Sequence, residues 1–390
     1  MKRINAIRGV LTAAVAAVAL AVGPTAQAAT GWTVVPTPNP GTVNTIGGIV
    51  SFGDETWAIG STASPAYTGC HGRTLTLRYD ATASAFREVA NSQAAICASV
   101  EGVAGTSTSD IWGVGSTNNG RDTHIRHWNG AGWVVVPGAT IAVPSSGARQ
   151  QRTTGLNAVA ARTPSDVWAV GRAQYSDFSR RTLIERWNGT SWTLFAAPGG
   201  ASSVLDGVVA LGANDAWAVG RTPGGSGTAT LVVHWNGTSW SVVPTPNTQV
   251  LNSLHGIAAV SASELWAVGE ATSSYTNGVS TTRTLIEHRK GGQWSVVPSP
   301  NVGSGNNALA AVVARSSNDV WALGYFDDMT GSIPVRKTLT LRWNGSTWSV
   351  TPSPNAGTGD NWLADAAVST TGTVWASGVA APGTLVERFS

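Results

Sequence analysis

The sequence predicts an all-β fold, a seven-bladed β-propeller of four-stranded antiparallel blades, on three observations. A unit rich in Trp, Val and Gly recurs along the chain. Each copy divides into four short apolar runs bounded by Gly, Pro and Asn, which are the marks of strands. The last copy lacks its fourth run, and a matching run stands at the other end of the chain. Four antiparallel strands repeated at a fixed spacing describe a propeller blade.

The shortest copy spans 205–247, LDGVVALGANDAWAVGRTPGGSGTATLVVHWNGTSWSVVPTPN. Its first run (strand a) is 205–211, followed by a turn at Ala213-Asn214-Asp215. The second (b) is 216–219, centred on Trp217 and closed by Gly220. The third (c) is 230–235 and the fourth (d) 240–243, closed by Pro244-Thr245-Pro246. None is long enough for an ordinary helix. Asn236-Gly237 lies between c and d, and Asn-Gly is a strong hairpin signal because both residues tolerate positive φ.

The strand-b tryptophan recurs as Trp57, Trp112, Trp168, Trp217, Trp266, Trp321 and Trp375, at spacings of 55, 56, 49, 49, 55 and 54 residues. The final copy ends in a c strand, Thr384-Leu385-Val386-Glu387-Arg388-Phe389. Gly31-Trp32-Thr33-Val34-Val35-Pro36-Thr37-Pro38-Asn39 matches the d strand and its Pro-rich closure. The N-terminal strand is therefore expected to complete blade 7, which removes exposed edges and ties the two ends together.

Residues 1–29 read as a signal peptide: Lys2, Arg3 and Arg8 precede an apolar stretch at 10–22 and then Ala26-Gln27-Ala28. The apolar stretch is too short for a membrane span. The propeller is expected to occupy 30–390 as one extracellular domain, monomeric and without a membrane span. The precursor carries a formal charge of +3. Removing three bases and no acids leaves the two signs equal, so the chain has no basic excess of the kind nucleic-acid binding needs. Charged residues are 12% of the chain, against about 25% in typical proteins.

Cys70 and Cys97 are the only cysteines. An even pair in an exported chain points to a disulfide, a free thiol or a two-cysteine metal site being the alternatives. Two residues before the strand-b Trp stand Glu55, Asp110, Asp166, Asp215, Glu264 and Asp319, with Thr373 the exception. Strand c carries Arg78, His127, Arg186, His234, His288, Arg342 and Arg388 one residue before its aromatic position. Strand b begins where the antiparallel c ends, so each acid is expected beside the base of its own blade as a structural device. The sequons at Asn188, Asn236 and Asn344 read as hairpin turns.

The repeated VWAVG and WNGTSW signatures resemble those of secreted bacterial, actinobacterial-type β-propeller proteins, and loosely those of kelch-like and galactose-oxidase-like propellers. The resemblance covers essentially the whole mature chain and implies the fold. The chain departs from kelch in having one Gly (Gly171, Gly220, Gly269) after strand b in place of a Gly pair. The WNGTSW hairpin is similar in position to the Asp-box turn of sialidase-like propellers, but the aspartate is absent. Neither a copper-ligand set nor an arginine triad can be assigned, so the resemblance says little about chemistry.

The a–b and c–d turns are short and uniform, whereas the b–c loops (61–73, 116–122, 172–181, 270–283 and 325–337) and d–a loops vary. Both variable sets emerge on one face, and variable loops on a rigid scaffold are where binding residues are carried. Eleven residues before each strand-b Trp stand Glu101, Asn157, Asp206 and His255 in blades 2 to 5, then Ala310 and Ala364, with Gly47 near the matching place in blade 1. One side of a channel mouth is thus expected to be polar and the other bare. Glu101, Asp206 and His255 are the catalytic candidates, as acid, base or cation ligands; the structural alternative is that they bond the d–a loops or hold channel water.

Asn157, Tyr67, Arg121, Tyr175, Arg181, Tyr275, Arg283 and Tyr325 are ligand-binding candidates. Their chemistry suits stacking on sugar rings and holding carboxylates; pinning the loops is the alternative. His71, Phe178 and Phe326 belong to the same loops. No phosphate loop, G-x-S-x-G, H-E-x-x-H or calcium loop occurs, so no cofactor and no metal site is expected. The reading is a secreted recognition module for a glycan or protein. An extracellular carbohydrate-active hydrolase or lyase at the channel mouth is the alternative, and a structural envelope protein a third possibility.

Overall fold

The structure, a computed structural model, describes residues 31–390 except 64–71, 91–96, 118–119, 140–150, 176–178 and 274–279. The signal-peptide segment and the expected sites Cys70, Tyr67, His71, Phe178 and Tyr275 lie outside the described residues. Within them, 28 strands form four-stranded antiparallel units. Units 1 to 6 span 43–88, 99–135, 151–194, 204–243, 251–296 and 307–350. Unit 7 combines three strands at 361–389 with Trp32–Val34. One parallel bridge, Thr228 to Leu251, joins units 4 and 5.

The expected exchange of the terminal strand is observed. Trp32, Thr33 and Val34 pair with Phe389, Arg388 and Glu387, and the Val35 N–H donates to Val386 O at 2.8 Å. The Asn39 side chain then accepts from the Thr384 N–H at 2.7 Å. Asn247, Asn301 and Asn355 make the same bond to Thr230, Thr284 and Thr338. The asparagine of the Pro-x-Pro-Asn segment is therefore a strand-c clamp, repeated in units 4 to 7.

Strand b runs further than its sequence pattern indicates. In unit 4 it is Asp215–Gly224, so Gly220 lies inside the strand instead of ending it. Gly220 is needed there because a Cβ would collide with the Val204 carbonyl. The same collision with strand a holds at Gly60, Gly115, Gly171, Gly269, Gly324 and Gly378. Each glycine faces the residue just before a register shift in strand a, as Gly220 faces Leu205 before the Leu205/Gly207 shift. A β-bulge adds one residue to a strand and re-aims its side chain, and every unit carries one here.

The apolar core is divided into layers between adjacent units. Trp168 and Ile184 of unit 3, for example, cluster with Ala218, Val233 and Trp240 of unit 4. Each layer centres on the strand-b Trp of one unit meeting the strand-d aromatic of the next. Trp168–Trp240 is edge-to-face at 5.1 Å and 88°, and Trp266–Trp348 at 5.4 Å and 86°. Trp57–Trp133, Trp112–Trp192 and Trp217–Trp294 repeat it. Trp321 meets Trp32 from the N-terminal strand at 5.4 Å and 88°, and Trp375 meets Phe86 of unit 1 at 5.9 Å and 88°. The inner a strands pack side by side in chain order, with Asn361–Val368 against Val43–Phe52.

All six expected acid–base pairs form: Glu55–Arg78 at 2.7 Å, Asp110–His127 at 2.6 Å, Asp166–Arg186 at 2.8 Å, Asp215–His234 at 2.9 Å, Glu264–His288 at 3.0 Å and Asp319–Arg342 at 2.9 Å. The base also covers its strand-b Trp. His288 stacks on Trp266 at 3.7 Å, and the Arg186 guanidinium lies 4.7 Å from the Trp168 ring centre. The three sequons form turns in which the Asn side chain accepts backbone N–H groups, as Asn236 does from Thr238 and Ser239.

One residue before that base, strand c of three units buries a glutamate: Glu185, Glu287 and Glu387 are fully buried. Burial without an ionic partner pushes their carboxyls up to about 7, about 8 and about 8. Glu387 has no hydrogen-bond partner on either oxygen among the described residues. Between its ordinary 4.5 and about 8, the folded chain holds a proton that the unfolded chain has lost. Stability is therefore expected to fall as pH rises through that window. Glu387→Gln should leave the melting temperature nearly unchanged at pH 5 and raise it by several degrees above wild type at pH 9, as read by calorimetry.

Candidate functional site

The bulge places the site. The added residue in each strand a is Gly47, Glu101, Asn157, Asp206, His255, Ala310 or Ala364, and all seven line one cavity of about 140 Å³. The expected polar arc and bare arc are both present. The residue after the bulge is kept small because the next a strand passes close by: a Cβ at Gly207 would stand 2.8 Å from His255 O. Unit 7 departs from this with Asp365, whose carboxylate accepts from the Ile49 N–H at 2.9 Å. Burial pushes the Asp365 carboxyl up to about 7 against that bond.

The polar arc is a network. The Asn157 amide donates to Asp206 Oδ1 at 2.8 Å and to Leu205 O at 2.9 Å. Arg172 donates to Asn157 Oδ1 at 3.3 Å, and Arg221 to Asp206 Oδ2 at 3.0 Å. His255 lies between two carboxylates, with Nδ1 3.8 Å from Asp206 and Nε2 3.9 Å from Glu270. Burial alone lowers its proton affinity, but the two carboxylates outweigh this and push it up to about 9. His255 in turn holds the Glu270 carboxyl below its usual range against desolvation, helped by Arg221 and Arg336. Arg336 stacks over Tyr325 at 4.0 Å and contacts Asp327 at 3.5 Å.

Arg172, Arg221 and Glu270 are residues that sequence reasoning left out. They stand one position past the strand-b glycine, opposite the start of strand a. That fixed offset is the signal that could have found them. Glu101 differs from its neighbours in the arc: it is exposed and has no polar partner among the described residues. It also borders a wider groove of about 610 Å³ over units 2 and 3, lined by Ser116, Thr153, Thr154, Arg172 and Gln174.

The expected loop residues divide. Arg283 donates to Gly305 O at 2.7 Å, so it pins a d–a connection. Phe326 packs against the core layer between units 5 and 6. Thr154 donates to Arg121 O at 2.7 Å while the Arg121 side chain is exposed. Tyr175 and Arg181 lie on strands, not free loops, because the b–c ladder of unit 3 continues to Gln174 opposite Arg180. Tyr325 is half-buried under Arg336. Cys97 has φ 68°, and its N–H donates to Gly72 O at 2.7 Å. No group of three or more His, Cys, Asp or Glu residues is placed to hold a metal among the described residues.

No protein-family model and no curated protein sequence matches the chain. Solved structures do match in fold. The RRP9 WD40 repeats superpose with a TM-score of 0.56 at 9% identity, covering 92% of this chain and 98% of that one. YCF48 from Cyanidioschyzon merolae gives 0.53 at 12% identity over 92% and 98%. YCF48 bound to D1 peptide gives 0.49 at 12% identity over 92% and 96%. The fold is that of a β-propeller.

His255 provides a direct reading of the arc. Its stabilising charge is present in full below pH 6.5 and is lost as pH rises through about 9. An NMR titration of the His255 ring should show a midpoint near 9. His255→Gln should be less stable than wild type at pH 6, with the gap closing by pH 10.

Proposed function

We propose that the chain is a closed seven-bladed β-propeller, exported from the cell, that recognises an extracellular glycan or protein through the b–c/d–a face. The observation that carries the reading is the one-sided axial arc: Glu101, Asn157, Asp206 and His255 face Gly47, Ala310 and Ala364 across the channel mouth. Arginines at the next layer out hold the arc in place, and the groove beside Glu101 and Arg172 is lined with hydroxyl and amide groups. Convergent polar groups in a concavity on a rigid scaffold are the usual makings of a binding site. Seven aromatic layers, one between each pair of neighbouring units, support the closed ring.

Hydrolysis or elimination at the arc has less support. Asp206 is already engaged by Arg221 and Asn157, and His255 holds its proton at neutral pH. Asp206 is thus occupied by donors, and His255 already carries the proton that a general base would have to accept.

Thermal shift against cell-wall and plant polysaccharide fragments and extracellular peptides tests the reading. A ligand at a hundred times its dissociation constant adds about 2.7 kcal/mol. Glu101→Gln and Arg172→Ala should each weaken the ligand found by tenfold or more. Unaltered affinity in both would remove the groove from the site.

Export and a Cys70–Cys97 disulfide belong to the same proposal. The basic and apolar leader supports the first. The Cys97–Gly72 backbone bond, two residues along the chain from Cys70, supports the second. Intact-mass measurement of protein from the culture medium should show loss of residues 1–28 or 1–29 and a mass about 2 Da below the dithiol (one disulfide removes two hydrogens). Intracellular protein with its leader and both thiols intact would refute this part.

A further inference from the structure

The face of tight turns carries a series of acid–base pairs with one gap. In units 1 to 6 the residue two before the strand-b Trp is an acid bonded to the strand-c base. In unit 7 that residue is Thr373, and the base, Arg388, has no carboxylate within ion-pair distance among the described residues. The hydroxyl of Thr373 replaces a carboxylate that would otherwise reach the guanidinium.

Two further observations belong to this gap. Arg388 Nη1 donates to Tyr79 Oη at 2.8 Å, across the junction between units 7 and 1. Tyr79 occupies the strand-c aromatic position, which is Trp128, Trp187, Trp235, Trp343 and Phe389 in other units and Arg289 in unit 5. Only here does that position bring a hydroxyl, and only here does the neighbouring base lack its acid. The space left by the missing carboxylate is open: a cavity of about 290 Å³ is lined by Arg388, Tyr79, Thr56, Ser84, Ser369 and Thr373. Asp54 is the one carboxylate among the described residues that line it. The remaining Arg388 N–H groups have no partner among the described residues.

We propose that this cavity binds a carboxylate, which takes the place beside Arg388 that the chain's own acid takes in the other six units. Six internal copies define the pairing: donor–acceptor distances between 2.6 and 3.0 Å, with the acid also placed to accept from the strand-b indole where Trp57 and Trp217 donate to Glu55 and Asp215. Trp375 lines the cavity. Ser and Thr hydroxyls supply donors for the second oxygen, and a guanidinium–carboxylate contact is among the stronger hydrogen bonds available to a protein. The carboxylate can belong to a small organic acid or to an acidic side chain of a partner, and both present the same group to Arg388.

The test uses the mature protein at low ionic strength and pH 7, with succinate and hexaglutamate as probes and sodium chloride at matched ionic strength as the control. The expected result is a rise in melting temperature with millimolar succinate, hexaglutamate or both that chloride does not reproduce. A response to succinate identifies a small-acid site; a response to hexaglutamate alone identifies a docking point for acidic chains. Thr373→Asp restores the repeat's own acid. It should be more stable than wild type without ligand and should lose the response, its affinity falling tenfold or more. Arg388→Gln should lose the response as well. If that variant fails to fold, Thr373→Asp still decides the matter, because it adds a pair that six units already make. No response beyond chloride in wild type, or an equal response in Thr373→Asp, overturns the proposal. The site lies on the face opposite the channel mouth, so its outcome is independent of the recognition reading above.

Discussion

Edge-to-face contact between aromatic rings of neighbouring sheets is the interaction on which the rest of the molecule depends. A four-stranded unit has two faces to cover and little mass of its own. Here one strand-b indole from each unit meets a strand-d ring of the next edge-on, at 66° to 88°, from Trp57–Trp133 to Trp375–Phe86. Such geometry sets the positive edge of one ring against the negative face of the other and adds about 0.5–1.5 kcal/mol beyond the area buried. The base stacked on the indole's other side, held by its acid, fixes the ring so that the contact repeats from layer to layer. The low charge content of the chain follows from this plan: much of what charge there is serves to hold tryptophans.

The same plan explains how residues from all seven units come to line one cavity. The glycine three residues after the strand-b Trp lets strand a press against strand b, and the bulge that follows adds the one residue that lines the shared cavity. The added residue contributes nothing to the ladder, so its identity is free of packing demands. Seven positions with a common backbone therefore carry Gly, Glu, Asn, Asp, His, Ala and Ala. Cavity lining and ladder pairing are separated within a single strand.

Much of this was legible in the sequence because it repeats. The spacing of Trp57 to Trp375, the acid two residues before each, and the Trp32 segment that matches a missing strand all follow from a pattern seen several times over. The axial residues were legible for the same reason, as a fixed offset from the tryptophan. Two kinds of feature were not. Gly220 reads as a strand end by composition, and only the crossing of strand a at Val204 reveals that it lies mid-strand. The roles of Arg221, Glu270 and Arg336 depend on side chains from three units meeting across the sheet junctions, which no local pattern encodes. Residues unique to one unit, such as Tyr79 and Asp365, have no repeat to interpret them.

The strand Trp32–Val34 has a consequence for the order of events in the life of the chain. Its partner is some 355 residues away, so unit 7 stays three-stranded until this strand reaches the last one made. Six units can assemble from neighbours in sequence as they emerge, but the join between first and last must wait. Contacts of such long separation are slow to form because the intervening loop must close first. Until then the outer edge of Gly383–Phe389 stands unpaired, a template for any other extended chain nearby. The strand that ends this exposure, Trp32–Val34, is made long before its partner, so it is ready to cover that edge as soon as the edge forms.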